Sequence, residues 1–356
     1  MDRSQVSSSR KTAKVSNRRS KPTILDVAKR AGVSKSLVSM VIRGDDRVSP
    51  IRRDAVHEAI AELDYRPNAM ARGLVQRTTR IIGVVVSDLR NPFNGDVVSG
   101  ILNEAAGLGY KALINTSDRR RDLEKDAIES FLELRVDGLV LATSRIEDAT
   151  IELATSAVPV VVLGRKTSDS LTDSLTVDNE MGAEIAVDHC VELGHHAIAH
   201  VAGREGMAAR SRRTGYERAM VRHGLTDHMT ILDGGFTEAG GYRGGQLLLR
   251  QETQPTAVIA ANDLCAIGVL NALEEAGLEI PRDVSLVGYD NTSLAALRHV
   301  SLTTIHQPGE DMGRKAMDLL FERIHEGRTR PRHEVVAPSL VVRSTTTPPR
   351  SEELKI

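Results

Sequence analysis

Residues 188–200 hold the densest set of potential metal ligands in the chain. The set comprises Asp188, His189, Cys190, His195, His196 and His200. A structural zinc site needs four such ligands in a tetrahedral arrangement, and no further group of Cys and His residues completes one. We therefore predict that these side chains have structural roles and that the chain binds no metal.

The glycine-rich stretch GGFTEAGGYRGG, residues 234–245, resembles a phosphate-binding loop. It lacks the G-K-[ST] ending whose lysine and hydroxyl bind phosphate and Mg²⁺. We therefore interpret its glycines as turn and helix-entry positions. No nucleophile motif such as G-x-S-x-G and no other catalytic constellation is present in the sequence. The sequence thus predicts a protein that is not an enzyme and that requires no cofactor.

A third stretch, residues 22–66, is basic and has three runs of apolar residues at helical spacing. Thr23 is a candidate N-cap of the first helix, Gly32 ends that helix and Ser34 caps the second. Ser49 and Pro50 open the third helix, whose predicted apolar face comprises Ile51, Ala55, Val56, Ala59, Ile60 and Leu63. Three short helices with a glycine-containing turn between the first two form a helix-turn-helix pattern.

The second helix of this pattern has the character of a helix that enters the major groove of DNA. Such a helix places side chains at base edges, and the predicted outward positions are Lys35, Ser36, Ser39, Met40 and Arg43. Contacts with phosphates, which fix register without reading sequence, are predicted for Arg30, Arg47, Arg52, Arg53 and Arg66. The alternative is a small helical bundle that contacts another protein.

The charge of the chain is divided unevenly. Residues 1–80 contain 18 Lys and Arg against 8 Asp and Glu, whereas the remainder contains 29 against 40. A basic end on an acidic body is typical of a polyanion-binding module joined to another domain. Residues 1–21 supply seven of these bases without apolar periodicity, so we predict a disordered basic tail there. A solvated tail without a partner is the alternative.

The pattern of residue types changes after residue 80. Short runs rich in β-branched residues alternate with helical stretches at 96–108, 123–134, 181–193 and 264–276. The predicted strands are 80–86, 110–115, 136–142, 158–163, 173–177, 197–203, 256–262 and 284–290. Apolar strands separated by helices indicate parallel sheets covered on both faces. About eleven strands are too many for one small open sheet, so we predict two α/β lobes.

The chain contains only two cysteines, Cys190 and Cys265. This number argues against a disulfide framework and fits a reducing cytoplasm. No apolar run approaches the roughly 20 residues needed to span a bilayer, and the charged N-terminus lacks the apolar core of a secretory signal. We therefore expect a cytoplasmic protein without a membrane partner.

Eight motifs, in this order along residues 22–346, resemble those of the LacI/GalR family of bacterial transcription regulators. They are DVAKRAGVSKSLVSMVI, AIAELDYRPNAMARGL, IGVVVSDLRNPF, VDNEMGAEIAVDHCVELGHHAIAHVAG, RRTGY, NDLCAIG, DVSLVGYDN and LTTIHQP. The resemblance implies an α-helical helix-turn-helix headpiece at 22–66 and a hinge helix and linker at 67–80. It also implies an α/β two-lobed core at 81–346, similar to periplasmic sugar-binding proteins and responsible for effector binding and dimerisation. Residues 347–356 form a tail.

The resemblance implies a sequence-specific repressor whose affinity for double-stranded operator DNA is set by a small-molecule effector. In the family the hinge helix folds on the operator and a leucine wedges into the minor groove, a role that falls on Leu74. Wedging costs unstacking energy but lets two half-sites meet the headpieces. The residues expected to contact DNA are Thr23, Lys35, Ser36, Leu37, Ser39, Met40, Arg43, Asn68, Ala71, Arg72 and Leu74. An inert interdomain linker is the alternative for the hinge.

The resemblance also implies an effector cleft between the two lobes. Arg212 in RRTGY matches the arginine that grips the effector, Asp290 in VGYDN matches the facing acid, and Phe236 is the stacking ring. The full expected set is Asp88, Phe93, Asn94, Arg212, Phe236, Asn262 and Asp290. An arginine and an acid in an apolar cleft can bind the hydroxyl groups of a sugar or nucleoside. A structural ion pair is the alternative for Arg212 and Asp290.

Three other interpretations of the whole chain compete with this one. A periplasmic solute-binding protein is opposed by the basic helix-turn-helix, and a sugar- or nucleotide-processing enzyme by the absence of catalytic residues. A regulator without any effector is opposed only by the polar Arg212–Asp290 pair. The segment after Arg343 is too short for the tetramer-forming helix of some relatives, so we expect a homodimer.

Met40→Arg tests how the second helix reads DNA. The family usually carries Thr and Arg where this chain has Leu37 and Met40. Arginine makes a bidentate contact with guanine worth about 1–3 kcal/mol, whereas methionine can only pack against a thymine methyl group or against the core. We expect the substitution to shift base preference at one position of each half-site, as measured by selection from random duplexes. Uniform tightening on every sequence would contradict this prediction.

Overall fold

The computed structural model describes residues 22–42, 44–66, 78–142, 146–167 and 172–350. It consists of two compact units, Met1–Thr79 and Arg80–Ile356. The predicted basic tail at 1–21, Arg43, and the hinge residues Asn68, Ala71, Arg72 and Leu74 lie outside the described residues. Within the described ranges, no helix is long and apolar enough to cross a membrane.

The first unit contains three helices, α1 (Ile24–Ala31), α2 (Lys35–Ile42) and α3 (Pro50–Glu62). Thr23 caps α1 through a reciprocal capping box with Asp26, as the sequence predicts for its N-cap. Gly32 ends α1 with a φ of 63°, a left-handed conformation that glycine adopts without steric cost. The Ser34 hydroxyl accepts a hydrogen bond from the Leu37 backbone N–H at 3.2 Å and so caps α2.

The core of this unit consists of small apolar side chains from all three helices and from the loop before α3. Its buried members are Val27, Ala28, Val38, Val41, Val48, Val56 and Ala59. The prediction that Ile51 belongs to this core is wrong, because its side chain is 83% exposed. Ile51 lies in the first turn of α3 and faces solvent, while Val48 from the preceding loop occupies the buried place beside Val56.

The second unit contains two six-stranded sheets, each covered by helices. In the first lobe the strand order is β11-β5-β4-β3-β1-β2, and all neighbouring strands are parallel. Its strands are β1 (Ile81–Val86), β2 (Lys111–Thr116), β3 (Gly138–Ala142), β4 (Val160–Leu163), β5 (Asp173–Val177) and β11 (His333–Val336). Its helices are α4 (Pro92–Gly107), α5 (Arg121–Glu133), α6 (Asp148–Thr155) and α11 (Gly309–Glu326).

The second lobe has the strand order β12-β10-β9-β8-β6-β7, and only β12 runs antiparallel to its neighbour. Its strands are β6 (Ile198–Ala202), β7 (Met229–Asp233), β8 (Ala257–Ala260), β9 (Ser285–Asp290), β10 (Thr303–His306) and β12 (Ser339–Val341). Its helices are α7 (Asn179–Glu192), α8 (Met207–Arg222), α9 (Glu238–Leu248) and α10 (Asp263–Glu275), with a short 3₁₀ turn at Thr226–His228.

All eight strands named from the sequence occur, whereas β7, β10, β11 and β12 were not among them. β7, β11 and β12 are edge strands that are only partly buried, so they lack the apolar runs that mark a buried strand. β10 is buried, but two of its four residues are threonines, which break the apolar pattern. The chain passes between the lobes three times, after β5, after β10 and after β11. Neither lobe is therefore a continuous piece of sequence.

The interpretation of the glycines in residues 234–245 requires a correction. Gly235, with a φ of 96°, does form a turn, but Gly240, Gly241, Gly244 and Gly245 lie inside α9. A Cβ atom at Gly241 would collide with the carbonyl group of Cys265 on α10. These glycines therefore allow α9 to pack closely against α10 and the sheet, a role that a turn signal does not reveal.

The side chains in residues 188–200 are hydrogen-bonded within the second lobe. The His195 ring contacts Thr256 Oγ1 at 2.8 Å and the Thr347 carbonyl oxygen at 2.8 Å, and His200 Nδ1 contacts the Ile259 carbonyl oxygen at 2.9 Å. Asp188 instead pairs with Arg222 and His223. These contacts tie α7, β6 and the chain end to the second sheet.

Asp173, at the start of β5, is the most heavily bonded buried carboxylate of the first lobe. It is fully buried and accepts hydrogen bonds from Arg323 on α11 at 2.8 and 2.9 Å and from Arg328 at 2.5 and 3.1 Å. Burial alone would raise the pKa of Asp173, but the bonds from Arg323, Arg328 and the Arg332 backbone outweigh it and lower the pKa. The cluster thus joins the late β11 segment to β5.

We expect Asp173→Asn to lower the free energy of unfolding by about 3–5 kcal/mol at pH 7, because it leaves the half-buried Arg323 without its carboxylate partner and Arg328 with Glu322 alone. A lowered pKa contributes stability that is present above the ordinary value of 3.8 and is lost as pH falls through the folded-state pKa. The difference in the free energy of unfolding between wild type and variant should therefore shrink as the pH is lowered. Urea unfolding at several pH values measures it.

Glu129→Gln is the matched control, because it removes a carboxylate from an exposed pair, 3.7 Å from Lys125. An Asp173→Asn protein as stable as this control at pH 7 would show that the buried cluster does not stabilise the first lobe.

Candidate functional site

The first unit presents α2 with one polar side. Lys35 and Ser36 are exposed and Ser39 is half-buried. The structure brings these residues together on the first two turns of one helix. Thr23 is also exposed, although its hydroxyl already bonds Asp26 at 2.7 Å. This arrangement has the polar groups that hydrogen-bonded reading of base edges requires.

The two apolar residues of α2, Leu37 and Met40, are half-buried and pack against the core of the first unit. Of the two interpretations left open for Met40, packing against the core is the one that this contact supports. The exposed polar surface of the described part of α2 therefore consists mainly of Lys35 and Ser36.

Four of the five arginines expected at phosphates are engaged in contacts within the first unit. Arg30 pairs with Glu62 at 2.6 Å, Arg47 with Asp45 at 2.7 Å and Arg66 with Asp64 at 3.6 Å, and Arg53 donates to the Asp45 carbonyl oxygen at 3.0 Å. Exposed pairs of this kind contribute little to stability, so exchanging the carboxylate for a phosphate costs little. Arg52 is exposed.

The second unit has a cavity of about 310 Å³ between its lobes. Residues that follow β1, β2, β6, β7 and β10 line it, together with the ends of β3, β4, β5 and β9. The carboxyl ends of the parallel strands in both sheets therefore meet at one space, which is where open α/β sheets bind ligands.

Arg212, on the first half of α8, is held rigidly in the wall of this cavity. Its Nε donates to Asn179 Oδ1 at 2.9 Å and its Nη1 donates to the Ala261 carbonyl oxygen at 2.5 Å. The guanidinium carbon lies 3.5 Å from the centroid of the Tyr289 ring, a cation–π contact. The side chain is only 5% exposed, so its position is fixed before any ligand binds.

Asp290 lies at the end of β9 and bonds both lobes. One carboxylate oxygen accepts from Gln307 at 2.5 Å, the other accepts from Asn91 of the first lobe at 3.4 Å, and Arg212 Nη2 lies 3.8 Å away. Burial raises the pKa of Asp290, although Arg212 and these amides act in the opposite direction. Its φ of 116° is left-handed for a non-glycine residue, a strain that characteristically persists at functional sites.

A second buried carboxylate, Asp263, lies behind this site at the start of α10. It accepts hydrogen bonds from the Thr292 backbone at 2.7 Å and from the hydroxyls of Thr292 and Thr304 at 2.9 and 2.6 Å. Burial and the neighbouring Asp290 raise its pKa to about 7, against the lowering effect of these bonds. Asp263 thus fixes the loop after β9 on which Asp290 is placed.

An aromatic ring forms the apolar surface of the cavity. Phe236, after β7, lies 5.2 Å from the guanidinium carbon of Arg119 in the first lobe and 5.8 Å from that of Arg212. Phe93 and Asn94, at the start of α4, line the opposite wall. A flat ring beside fixed polar groups can stack a sugar or a base while the polar groups orient it.

The structure brings five of the seven expected effector residues to the cavity: Phe93, Asn94, Arg212, Phe236 and Asp290. Asp88 and Asn262 are buried behind it and are not among the lining residues. Asp88 accepts bonds from Arg90 at 2.9 and 3.1 Å, and Asn262 caps α10 by accepting from the Cys265 backbone at 2.9 Å. Both residues support the walls.

Several lining residues were not predicted from the sequence. Asn91, Asn179 and Gln307 lie inside the motifs DLRNPF, VDNEMG and LTTIHQP, so those motifs held the signal without singling out the residue. Arg119, Arg204, Glu205 and Arg243 lie outside the quoted motifs. No spacing pattern marks them, because loops and helix faces distant in sequence bring them to the cavity.

Two family models match the chain. Residues 23–68 match the bacterial regulatory proteins of the lacI family, and residues 187–346 match the periplasmic binding protein-like domain. Catabolite control protein A of Priestia megaterium is 35% identical over 308 residues, which cover 85% of this chain and 93% of the relative.

Solved structures agree with these matches. The crystal structure of the Lac repressor dimer bound to operator and the anti-inducer ONPF is 30% identical, with a TM-score of 0.80, and covers 92% of this chain and 100% of that one. The complex of the transcriptional regulator CelR with cellobiose is 32% identical, with a TM-score of 0.68, and covers 91% of this chain and 99% of that one. The helix-turn-helix unit, the two-lobed core and these similarities together show that the chain belongs to the lacI family of bacterial regulatory proteins, which are DNA-binding transcriptional repressors with a ligand-binding core.

Proposed function

We propose that this protein binds its operator as a homodimer and that a sugar or nucleoside-like effector in the core cavity sets its affinity for DNA. The observation that carries the proposal is the pair Arg212 and Asp290. Both side chains are buried yet line a ligand-sized cavity, and they approach to only 3.8 Å. A purely structural ion pair would form direct hydrogen bonds at about 2.7–2.9 Å, so the geometry favours a ligand hydroxyl group that lies beside the pair and bonds both side chains.

The polar groups around the cavity match the hydroxyls of a sugar or nucleoside. Asn91, Asn179 and Gln307 place amide groups at its wall, and Phe236 offers a ring face. A hydroxyl both donates and accepts, so it can bond the Arg212 guanidinium and the Asp290 carboxylate at once. The related CelR, solved with cellobiose, supports a polyhydroxyl ligand.

The proposed homodimer is supported by exposed apolar residues at one end of each sheet. In the first lobe, Leu102 on α4 and Leu113 and Ile114 on the edge strand β2 are 38–40% exposed. In the second lobe, β7 is the terminal strand, and Val221 and Leu247 are exposed on the neighbouring helices α8 and α9. Edge strands with apolar neighbours are surfaces that proteins usually cover, and the Lac repressor relative is a dimer.

Control of DNA binding is proposed to pass through residues 67–80. Ligand binding between the lobes changes their relative orientation, and the hinge helix of each chain folds on the operator only when the two headpieces are suitably spaced. A coupling free energy of about 1–3 kcal/mol suffices for a 5–150-fold change in affinity. We propose that the protein acts in the bacterial cytoplasm, where operator DNA lies.

Arg212→Gln tests the effector site. It removes the charge that faces Asp290 and should abolish the effect of ligand on operator affinity while leaving affinity in the absence of ligand within about twofold. The effector is first found by thermal-shift screening of sugars and nucleosides, and fluorescence anisotropy with a selected operator then measures the response. Arg213→Gln is the matched control, since the adjacent Arg213 is exposed and pairs with Glu217. A full ligand response in Arg212→Gln would refute the assignment.

Leu74→Ala tests the proposed hinge wedge. Leu74 is the side chain proposed to hold the central base step open. Without it, we expect specific operator affinity to fall at least tenfold, because its contacts no longer offset the free-energy cost of unstacking and bending the DNA. Circular dichroism and the thermal midpoint should stay unchanged. Leu297→Ala, the same change at an exposed site of the core, should have no effect on binding. Equal operator affinity in the two variants would exclude the wedge.

A further inference from the structure

The charges that line the core cavity do not balance. Four arginines reach it, Arg119, Arg204, Arg212 and Arg243, whereas Glu205 and Asp290 are the acids among its described lining residues. The lining residues thus carry two positive charges in excess, and Asp88 behind the wall, 3.9 Å from Arg119, offsets one of them. A neutral sugar, which the groups around Arg212 and Asp290 can bind, would leave this positive charge unneutralised.

The excess is concentrated at the mouth of the cavity. Arg212 faces Asp290, and Arg119 lies 3.9 Å from Asp88 and over Phe236. By contrast, Arg204 and Arg243 are exposed, and within the ranges that the structure describes neither forms a salt bridge. Both also line an adjoining groove, where the other charged residues are Asp233 and Arg250, so the two guanidinium groups face the same space.

Backbone groups add to the positive potential on this side. Helix α8 begins at Met207 after Gly206, which offers no side-chain cap, whereas the start of α9 is capped by Thr237, whose hydroxyl accepts from the Gly240 backbone at 3.1 Å. The contribution therefore comes mainly from α8. Residues of both helix starts, Ala208 and Thr237, line the cavity. The N-terminus of a helix carries a partial positive charge and favours an anion, in the same sense as the arginines.

We propose that the effector carries a phosphate group, which Arg204 and Arg243 bind at the mouth of the cavity while the remainder lies against Phe236 and Arg212. This inference rests on the proposed effector site and narrows the class of ligand to phosphorylated sugars or nucleotides. A phosphate ester carries a charge of about −1.5 to −2 at pH 7 and three acceptor oxygens, so it can bind both guanidinium groups at once. A carboxylate offers only two oxygens and a single charge, and the planar guanidinium suits phosphate oxygens.

Isothermal titration calorimetry of the full-length protein tests the proposal with matched pairs, each made of a parent compound and its phosphate ester. The probes are ribose and ribose 5-phosphate, glucose and glucose 6-phosphate, fructose and fructose 1-phosphate, adenosine and adenosine 5′-phosphate, and inorganic phosphate alone. We expect at least one ester to bind about tenfold or more tightly than its parent, and inorganic phosphate to compete with it. Arg204→Gln and Arg243→Gln should each weaken that ester about tenfold, as expected for charge-assisted hydrogen bonds, and leave binding of the parent unchanged.

Arg250→Gln is the control, because Arg250 lines the groove but not the cavity. The proposal is overturned if no ester and no phosphate binds, if a parent compound binds as tightly as its ester, or if Arg250→Gln weakens the ester as much as Arg204→Gln. Operator affinity is measured in parallel. An ester that binds without changing operator affinity would refute the proposed function but not the phosphate site. A neutral sugar that releases the operator would refute the phosphate site but not the proposed function.

Discussion

The carboxylate of Asp290 is the point on which the core depends. It ends a fully buried strand, accepts an amide hydrogen bond from each side of the interlobe space, and lies opposite the fixed guanidinium of Arg212. A buried charge is tolerated only when it is paired and hydrogen-bonded, so the lobes, the amides and the arginine must all be in place for the loop after β9 to keep its strained backbone. Asp263 and its threonine partners maintain that loop from behind.

This arrangement explains how a ligand in one cavity can change the relative orientation of the two lobes. Asn91 and Arg119 belong to the first lobe, yet one bonds Asp290 and the other stacks on Phe236 of the second. A ligand that occupies the cavity competes with, or adds to, these few contacts between rigid bodies. Because each lobe has its own packed core, we expect a ligand in the cavity to move one lobe against the other rather than to deform either.

The sequence was most informative where burial is complete. Strands apolar on both faces, such as β1 and β4, and helix ends with capping residues or glycine, such as Thr23 and Gly32, could be located from composition and spacing alone. The edge strands β7, β11 and β12, the exposed Ile51 and the packing glycines of α9 could not, because their environment is set by neighbours distant in sequence. The same holds for the cavity. Matches to family motifs identified Arg212, Phe236 and Asp290, whereas Arg119, Arg204 and Arg243 are recognised as cavity residues only in the folded structure. Asp88 and Asn262 occur in the matching motifs but support the walls from behind.

The three passages of the chain between the lobes have a consequence for synthesis. Strand β11, which completes the first sheet beside β5, comes from residues 333–336, about 160 positions later in the chain. Pairings of such long sequence separation form slowly, and here they cannot form until nearly the whole polypeptide has left the ribosome. The helix-turn-helix unit, built from contacts within residues 22–66, is complete long before. A nascent or truncated chain would therefore carry a finished DNA-binding unit without the ligand-sensing core.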